Sequence, residues 1–178
     1  MNIVLSLILL IFFFPIILII FFYLMIIHAG NPIFISKRIG QNNKIFNLPK
    51  FKTLINLAPI KTSENFKDIS KYYVVGGYFL KKTGLDELPQ LILVLVGKMN
   101  LIGPRPVLDS QFSIIKYRSK TGINKLKTGI TGYAQIFSTN RNVNEKNRLD
   151  YYYYKNKNFS LDLKIILFTV IDMIKRIL

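Results

Sequence analysis

The run IVLSLILLIFFFPIILIIFFYLMII, residues 3–27, contains no charged side chain. It exceeds the roughly 20 apolar residues that a helix needs to cross the hydrocarbon core of a bilayer. A cleaved signal peptide fits poorly, because no basic segment precedes the run and no small-residue cleavage site follows it before the Asn31-Pro32 break. The stretch therefore predicts a retained helix that holds the chain on a membrane.

Pro15 lies at the centre of this run. A proline inside a helix removes a backbone hydrogen bond and crowds the preceding turn, so the sequence predicts a kink there. Two geometries remain open: a kinked helix that spans the bilayer, and a helix that turns back so that both ends stay on one side. Lys and Arg are absent before the run and frequent from Lys37 onward, which predicts a cytoplasmic location for the rest of the chain.

The chain as a whole is strongly basic. Its 178 residues include 25 Lys+Arg and 9 Asp+Glu, which gives a formal charge of +16 at pH 7. This charge favours an anionic partner, and nucleic acid, acidic lipid and phosphorylated substrates all satisfy it. The chain has no cysteine, which excludes disulfides and thiolate metal sites, and its single histidine, His28, cannot form a His-rich metal site.

Hydrophobic periodicity and turn residues predict an α/β fold, mostly helical, with a membrane-embedded helix over residues 1–30 and a cytoplasmic domain over residues 31–178. A β-hairpin is predicted at residues 33–54, with its turn at residues 40–43. Residues 58–73 predict an exposed loop or short surface helix, and residues 122–135 an extended segment. Helices are predicted at residues 85–96, capped by Thr83 and Gly84, and at 109–120, 144–155 and from Ser160 onward. The last helix is amphipathic, which suits a membrane surface and a protein core equally.

Asp86 and Glu87 are adjacent acids at the predicted start of a helix. A capping role would account for them, because the helix dipole favours acids in the first turn. With only nine acids in the chain, they are also the best candidates for chemistry, since a carboxylate can attack phosphorus and a second one can hold Mg²⁺. Arg105, between two prolines, suits a rigidly held guanidinium that grips phosphate, and Arg141 is a weaker candidate for the same role.

Three motifs, TGLDELPQL at residues 83–91, LIGPRP at residues 101–106 and TGITGYAQ at residues 128–135, resemble in order and spacing those of the monotopic phosphoglycosyl transferases. These are bacterial sugar transferases. The resemblance implies that Asp86 is a nucleophile that attacks the sugar-side phosphorus of a UDP-sugar and releases UMP. The resulting covalent phosphosugar would then be intercepted by polyprenyl phosphate. Glu87 would assist as a base or as a Mg²⁺ ligand beside Asp86, and Pro15 would break a re-entrant membrane hairpin.

The same resemblance implies partners and a location. The partners are a UDP-sugar, polyprenyl (undecaprenyl) phosphate and the membrane, without nucleic acid. The catalytic domain would lie on the cytoplasmic face of the bacterial inner membrane and perform the first membrane step of lipopolysaccharide or exopolysaccharide assembly. The implied phosphate-binding residues are Lys50, Lys81, Arg105 and Arg141. The sequence indicates neither the sugar nor the oligomeric state.

Several positions depart from the family pattern. KFKTL at residues 50–54 stands where relatives commonly have KFRTM, Lys81 and Lys98 stand where an Arg and an acid are common, and Thr128 replaces a common Pro. An Arg-to-Lys change keeps the charge but loses the bidentate fork. Two other interpretations therefore remain open: an inactive homologue that acts as a scaffold, and a membrane-anchored module that binds polyanions.

Overall fold

The computed structural model describes residues 2–55, 69–139 and 142–177. The first element, α1, spans Asn2–Ile27 and continues on both sides of Pro15. Within the described part of the chain, α1 is the one helix long and apolar enough to cross a membrane. Only Ser6, Ile20 and Leu24 are buried in it, so most of its apolar surface is left uncovered by the protein. The predicted apolar N-terminal helix is confirmed.

The two halves of α1 both pack against the rest of the protein. On the N-terminal side of Pro15, Leu5, Leu9 and Leu10 contact the larger hydrophobic core. On the C-terminal side, Ile20 and Leu24 are buried in a second core that also contains Phe51, Val74 and Leu80. Polar contacts fasten the end of the helix, where the Tyr23 hydroxyl donates to the Val75 carbonyl and His28 Nε2 lies 3.0 Å from the Lys52 carbonyl oxygen.

The predicted β-hairpin is confirmed. Strands β1 (Ile33–Ile39) and β2 (Ile45–Phe51) pair antiparallel, and a short 3₁₀ turn at Gln41–Asn43 joins them. Asn42 and Asn43 adopt positive φ angles of 54° and 59°, a conformation that asparagine tolerates better than most residues. Side chains alternate along each strand, so Arg38 and Lys50, paired with Phe46 and Phe34, share one face of the hairpin.

The segment that carries the two acids differs from the predicted long helix. After α2 (Gly77–Thr83), a 3₁₀ helix spans Leu85–Gln90, and α3 follows at Leu91–Leu95. Pro89 explains the change, because it has no N–H for the hydrogen bond that an α-helix would need there. Gly84 joins the two helices with a φ of +78°, whereas the Thr83 hydroxyl donates back to the Phe79 carbonyl and so caps nothing downstream.

The other two motifs form a small parallel sheet. Strand β3 (Asn100–Ile102) pairs with β4 (Gly129–Thr131), and the glycines at this pairing allow the backbones to approach closely. A Cβ atom on Gly129 would lie 2.1 Å from the amide nitrogen of Gly103. A side chain at this position would therefore force the two motifs apart.

Helices form the remainder of the described chain. They are α4 (Phe112–Thr121), α5 (Tyr133–Phe137), α6 (Val143–Asn156) and α7 (Phe159–Ile177). The extended conformation predicted for residues 122–135 is confirmed at β4 and wrong at both ends. Ile123–Lys125 forms a 3₁₀ helix. At the other end, Tyr133 packs against Tyr152 and Phe137 against Phe168, and this packing favours the helical turn of α5. Ser160 lies inside α7, and the cap is Asn158, whose Oδ1 accepts from the Leu161 amide.

The amphipathic character predicted for α7 is confirmed, but its apolar side is largely uncovered. Only Ile165 is buried, and Thr169 joins the helix to β4 through a 2.8 Å hydrogen bond to Thr131. A stripe of large apolar side chains is exposed to solvent along the helix: Phe159, Leu163, Leu167, Val170, Ile171, Ile174 and Ile177. Of the predicted surface segment at residues 58–73, the part up to residue 68 lies outside the described residues, and Ile69–Tyr72 forms a 3₁₀ helix.

Candidate active site

Asp86 is a buried carboxyl group with 7% of its surface exposed. Among the residues that the structure describes, the Asp86 carboxyl interacts through charge alone, with Lys50, Glu87, Arg105 and Lys81, and no side-chain hydrogen bond contributes to its pKa. Burial raises the pKa of Asp86 to about 6, and the negative charge of Glu87 adds to the rise, against the opposing charges of Lys50, Arg105 and Lys81. An ionised carboxylate without donors keeps its lone pairs available, which suits a nucleophile.

Glu87 binds two cations through a single oxygen. Lys50 Nζ and Arg105 Nη2 both donate to Oε1, the latter at 2.8 Å. Burial by itself would raise the pKa of Glu87, but Arg105 and Lys50 outweigh it and lower the pKa to about 2. Glu87 is therefore ionised throughout the physiological range, and it orients the two cations beside Asp86.

Arg105 lies on the backbone turn between Pro104 and Pro106. Its side chain is 49% exposed, so donors that Glu87 does not use remain open to a ligand. The charge of Glu87 raises the pKa of the guanidinium, which is a permanent cation. Lys81, at the end of α2, lies 5.5 Å from the centre of the Tyr73 ring, and its charge reaches Asp86.

The structure thus brings together five of the residues proposed from sequence: Asp86, Glu87, Lys50, Lys81 and Arg105. Arg141 lies outside the described residues. Pro15 belongs to α1 and is exposed there.

Sequence reasoning missed Arg38. Burial and the charge of Arg105 lower the pKa of Arg38, and Glu87 raises it, so this guanidinium lies within the field of the same site. Its Nε donates to Ser36 Oγ at 3.3 Å. The predicted hairpin held only part of the signal: alternation relates Arg38 to its neighbours within β1, but the pairing register is needed to place it on the face that carries Lys50. Arg38, Lys50, Lys81 and Arg105 are called the basic cluster below.

The two carboxylates suit Mg²⁺ bound together with a phosphorylated ligand. Within residues 2–55, 69–139 and 142–177, no three Asp, Glu or His side chains come together as a self-sufficient metal cage. Mg²⁺ is commonly held by one or two carboxylates while phosphate oxygens and waters complete its shell. In the described part of the chain, no side chain donates a hydrogen bond to Asp86, and Lys50 and Arg105 both donate to the same oxygen of Glu87. Both carboxylates therefore have oxygens that fit this donor set.

The arrangement places a buried carboxyl group among cationic side chains. The Asp86 carboxyl, whose pKa is raised to about 6, lies in the field of Lys50, Arg105 and Lys81, and ionised Glu87 orients Lys50 and Arg105. Such a site attracts a phosphorylated ligand and stabilises additional negative charge at phosphorus.

Comparisons with known proteins agree with this chemistry. The family model described as "Bacterial sugar transferase" matches residues 1–176. The chain is 37% identical over 143 residues to the "Uncharacterized sugar transferase EpsL" of Bacillus subtilis (strain 168), a match that covers 79% of this chain and 69% of that protein.

Two further relatives have names that state a reaction. The chain is 34% identical over 155 residues to the "UDP-glucose:undecaprenyl-phosphate glucose-1-phosphate transferase" of Klebsiella pneumoniae, covering 79% of this chain and 32% of the relative. It is 30% identical over 166 residues to the "Undecaprenyl-phosphate galactose phosphotransferase" of Salmonella typhimurium, covering 83% of this chain and 34% of the relative. The matched region is thus about a third of each of these longer proteins. Since the family match extends over nearly the whole sequence, the chain belongs to the bacterial sugar transferase family.

Proposed function

We propose that this protein transfers a sugar-1-phosphate from a UDP-sugar to polyprenyl phosphate through a covalent intermediate on Asp86. The observation that carries the proposal is the buried Asp86 carboxyl, which no side chain of the described residues binds by a hydrogen bond, beside the ion pairs of Glu87 with Lys50 and Arg105. The names of the Klebsiella and Salmonella relatives, which act on undecaprenyl phosphate, support the same reaction class.

In the first step, an oxygen of ionised Asp86 attacks the phosphorus that carries the sugar. The bond from this phosphorus to the bridging oxygen breaks, and UMP leaves with that oxygen and the bonding electron pair. Asp86 then carries the phosphosugar as an acyl phosphate. Arg105 and Lys50, oriented by Glu87, offset the charge that builds up on the phosphate oxygens.

In the second step, an oxygen of polyprenyl phosphate attacks the same phosphorus. The bond to the Asp86 oxygen breaks, the carboxylate is regenerated, and the product is a polyprenyl diphosphate sugar. Because Asp86 leaves as a carboxylate, its pKa must stay low enough for it to be a good leaving group as well as a nucleophile. The value of about 6 meets both requirements near neutral pH.

Glu87 has the role of an orienting anion in this mechanism. A group with a pKa of about 2 is a weak proton acceptor, which argues against its use as a general base. Asp86 and Glu87 would hold Mg²⁺ together with phosphate oxygens of the substrate, and the bound ion would neutralise charge on the diphosphate.

We further propose that the protein is monotopic, with its catalytic domain on the cytoplasmic face of the inner membrane. Support comes from α1, which packs on the catalytic domain on both sides of Pro15, as expected when both ends of the helix stay on one side. The exposed apolar stripe of α7 supports the same placement, since an amphipathic helix of this kind lies in the membrane interface. A site at this surface reaches the phosphate head of a lipid acceptor.

The sharpest test is a burst of UMP in the absence of acceptor. Purified protein is mixed with Mg²⁺ and each of a panel of UDP-sugars, and UMP is counted per enzyme molecule. With the right sugar, we expect release of about one UMP per enzyme, together with an increase in intact mass equal to the phosphosugar. Addition of undecaprenyl phosphate should then restore continuous turnover.

Other outcomes identify the alternatives. UMP that appears only in the presence of acceptor, without a burst, would refute the covalent step and indicate direct transfer. No UMP with any UDP-sugar, combined with binding to polyanions that falls steeply with salt, would favour the polyanion-binding module. No UMP and no such binding would favour the scaffold.

The burst rate should depend on pH with an acid limb near pH 6. Asp86 attacks as the carboxylate, and burial raises its pKa to about 6, so protonation inactivates it as the pH falls through this value. The burst should be about tenfold slower at pH 5 than at pH 7. Polyprenyl phosphate has its own ionisation near pH 6, but the burst contains no acceptor and so excludes this contribution. A burst rate that is constant from pH 5 to pH 7 would contradict Asp86 as the titrating nucleophile.

A further inference from the structure

The turn that carries Arg105 lacks two of the donors that usually fix a backbone. Pro104 and Pro106 have no N–H group, so backbone pairing can hold this turn only through its carbonyl oxygens, the Arg105 N–H and its ends. The ends are fixed, because the Gly129 amide donates to the Pro104 carbonyl at 3.0 Å and the Ile39 amide donates to the Val107 carbonyl at 2.9 Å. The peptide of Arg105 itself needs a separate anchor.

Arg118 supplies this anchor from α4. Its Nη1 donates to the Arg105 carbonyl oxygen at 2.9 Å, and its Nη2 donates to Asp150 Oδ2 on α6 at 2.8 Å. Both partners of the ion pair are buried, with 8% of Arg118 and 4% of Asp150 exposed. One guanidinium therefore joins two helices to the backbone of a residue in the active site.

The desolvation cost of burying Arg118 and Asp150 points to a function beyond folding. A buried ion pair seldom stabilises a protein more than a well-packed apolar pair would, because both charges lose their hydration. What it does provide is a fixed direction, since the planar guanidinium donates along defined axes to two acceptors at once. Here one of those acceptors is the carbonyl oxygen of Arg105, whose side chain donates to Glu87.

We infer that Arg118, held by Asp150, is a positioning residue that orients the Arg105 guanidinium for phosphate binding. The inference rests on the proposed function and adds a residue to it. Arg118 touches the backbone of Arg105 and so acts on the substrate only through that residue. Lysine cannot replace it, because a single ammonium lacks the planar fork that addresses the carbonyl and the carboxylate together.

A double-mutant cycle tests the inference. Arg118→Lys is compared in the wild-type background and in the Arg105→Ala background, and the measured quantity is kcat/KM for the UDP-sugar, from continuous UMP release with undecaprenyl phosphate present. We expect Arg118→Lys alone to lower kcat/KM about 10- to 100-fold, and to change it less than about twofold when the Arg105 side chain is already absent. Arg148→Lys, on the exposed side of α6, is the matched control and should leave kcat/KM unchanged.

Each other outcome overturns the inference. Equal losses in the two backgrounds would mean that Arg118 acts on general stability, and no loss in the wild-type background would mean that it positions nothing. Should Arg118→Lys fail to fold, as judged by circular dichroism, the same cycle is run with Asp150→Asn, which keeps a neutral acceptor for Arg118. A wild-type protein that gives no UMP at all would instead refute the proposed function, so the two failures are distinguishable.

Discussion

Replacement of Asp86 by asparagine is expected to lower sugar-phosphate transfer at least about 10³-fold and to abolish the covalent phosphosugar. The amide has nearly the same shape as the carboxyl group, so Asp86→Asn removes the nucleophilic charge while preserving the packing of a side chain that is 7% exposed. Intact-mass spectrometry after incubation with UDP-sugar measures the intermediate, and UMP release measures turnover.

Loss of folding can be separated from loss of chemistry in this variant. Burial raises the pKa of Asp86, which means that the folded protein disfavours the ionised form, so a neutral amide should not destabilise the fold near pH 7. Thermal unfolding should therefore be unchanged or slightly improved. Asp172→Asn, which breaks only the exposed ion pair with Arg176 on α7, is the matched control and should keep full activity. Transfer that persists in Asp86→Asn would refute the proposed mechanism.

The elements of this fold that depend on local sequence were predictable. The apolar run gave α1, the alternation around a turn of small and polar residues gave the hairpin of β1 and β2, and the amphipathic period gave α7. The 3₁₀ geometry of Leu85–Gln90 was missed, because the apolar pattern that follows Pro89 is typical of an α-helix. The short helix α5 was missed because it depends on aromatic packing between distant residues.

The residues of the active site divide in the same way, into those with a local sequence signal and those that only the folded chain brings together. Asp86, Glu87 and Arg105 were identified because each lies in a motif with unusual local chemistry. Arg38 required knowledge of strand register, and it sits 67 positions before Arg105 in the chain. The pair of Arg118 and Asp150 is separated by 32 residues, and neither position has a local signal that distinguishes it from other charges. Contacts that form only on folding are therefore the part of the site that the sequence concealed.

Among the lysines that depart from the family pattern, Lys81 has a structural interpretation. Its Nζ lies 5.5 Å from the centre of the Tyr73 ring, and its charge lowers the pKa of Asp86. This Coulombic effect needs a positive charge and not the planar fork of an Arg. Within the described residues, no side-chain contact explains Lys52, Lys98 or Thr128.

Glu87→Gln is expected to lower transfer about 100-fold and to move the acid limb of the pH profile below pH 6. The substitution keeps an oxygen that can accept from Lys50 or Arg105 but removes the negative charge that the two cations share. Asp86 then becomes the nearest anion to both. The charge of Glu87 contributes to the raised pKa of Asp86, so its loss lowers that pKa, and tighter pairing with Lys50 and Arg105 lowers it further.

The half-reaction that slows distinguishes two roles for Glu87. As an orienting anion, its loss makes Asp86 ionise at lower pH and become a poorer nucleophile, so the plateau rate of the burst falls while the limb moves toward acid. As a general base, it could serve only the step with polyprenyl phosphate, because ionised Asp86 has no proton to lose; its loss would then slow turnover and leave the plateau rate of the burst unchanged. Burst rates and turnover rates with acceptor, measured between pH 4 and 8, about two units on each side of pH 6, separate the two. An acid limb that stays near pH 6 or moves to higher pH would contradict the orienting role. Either result would mean that Lys50 and Arg105 do not stabilise ionised Asp86, the one carboxylate left beside them.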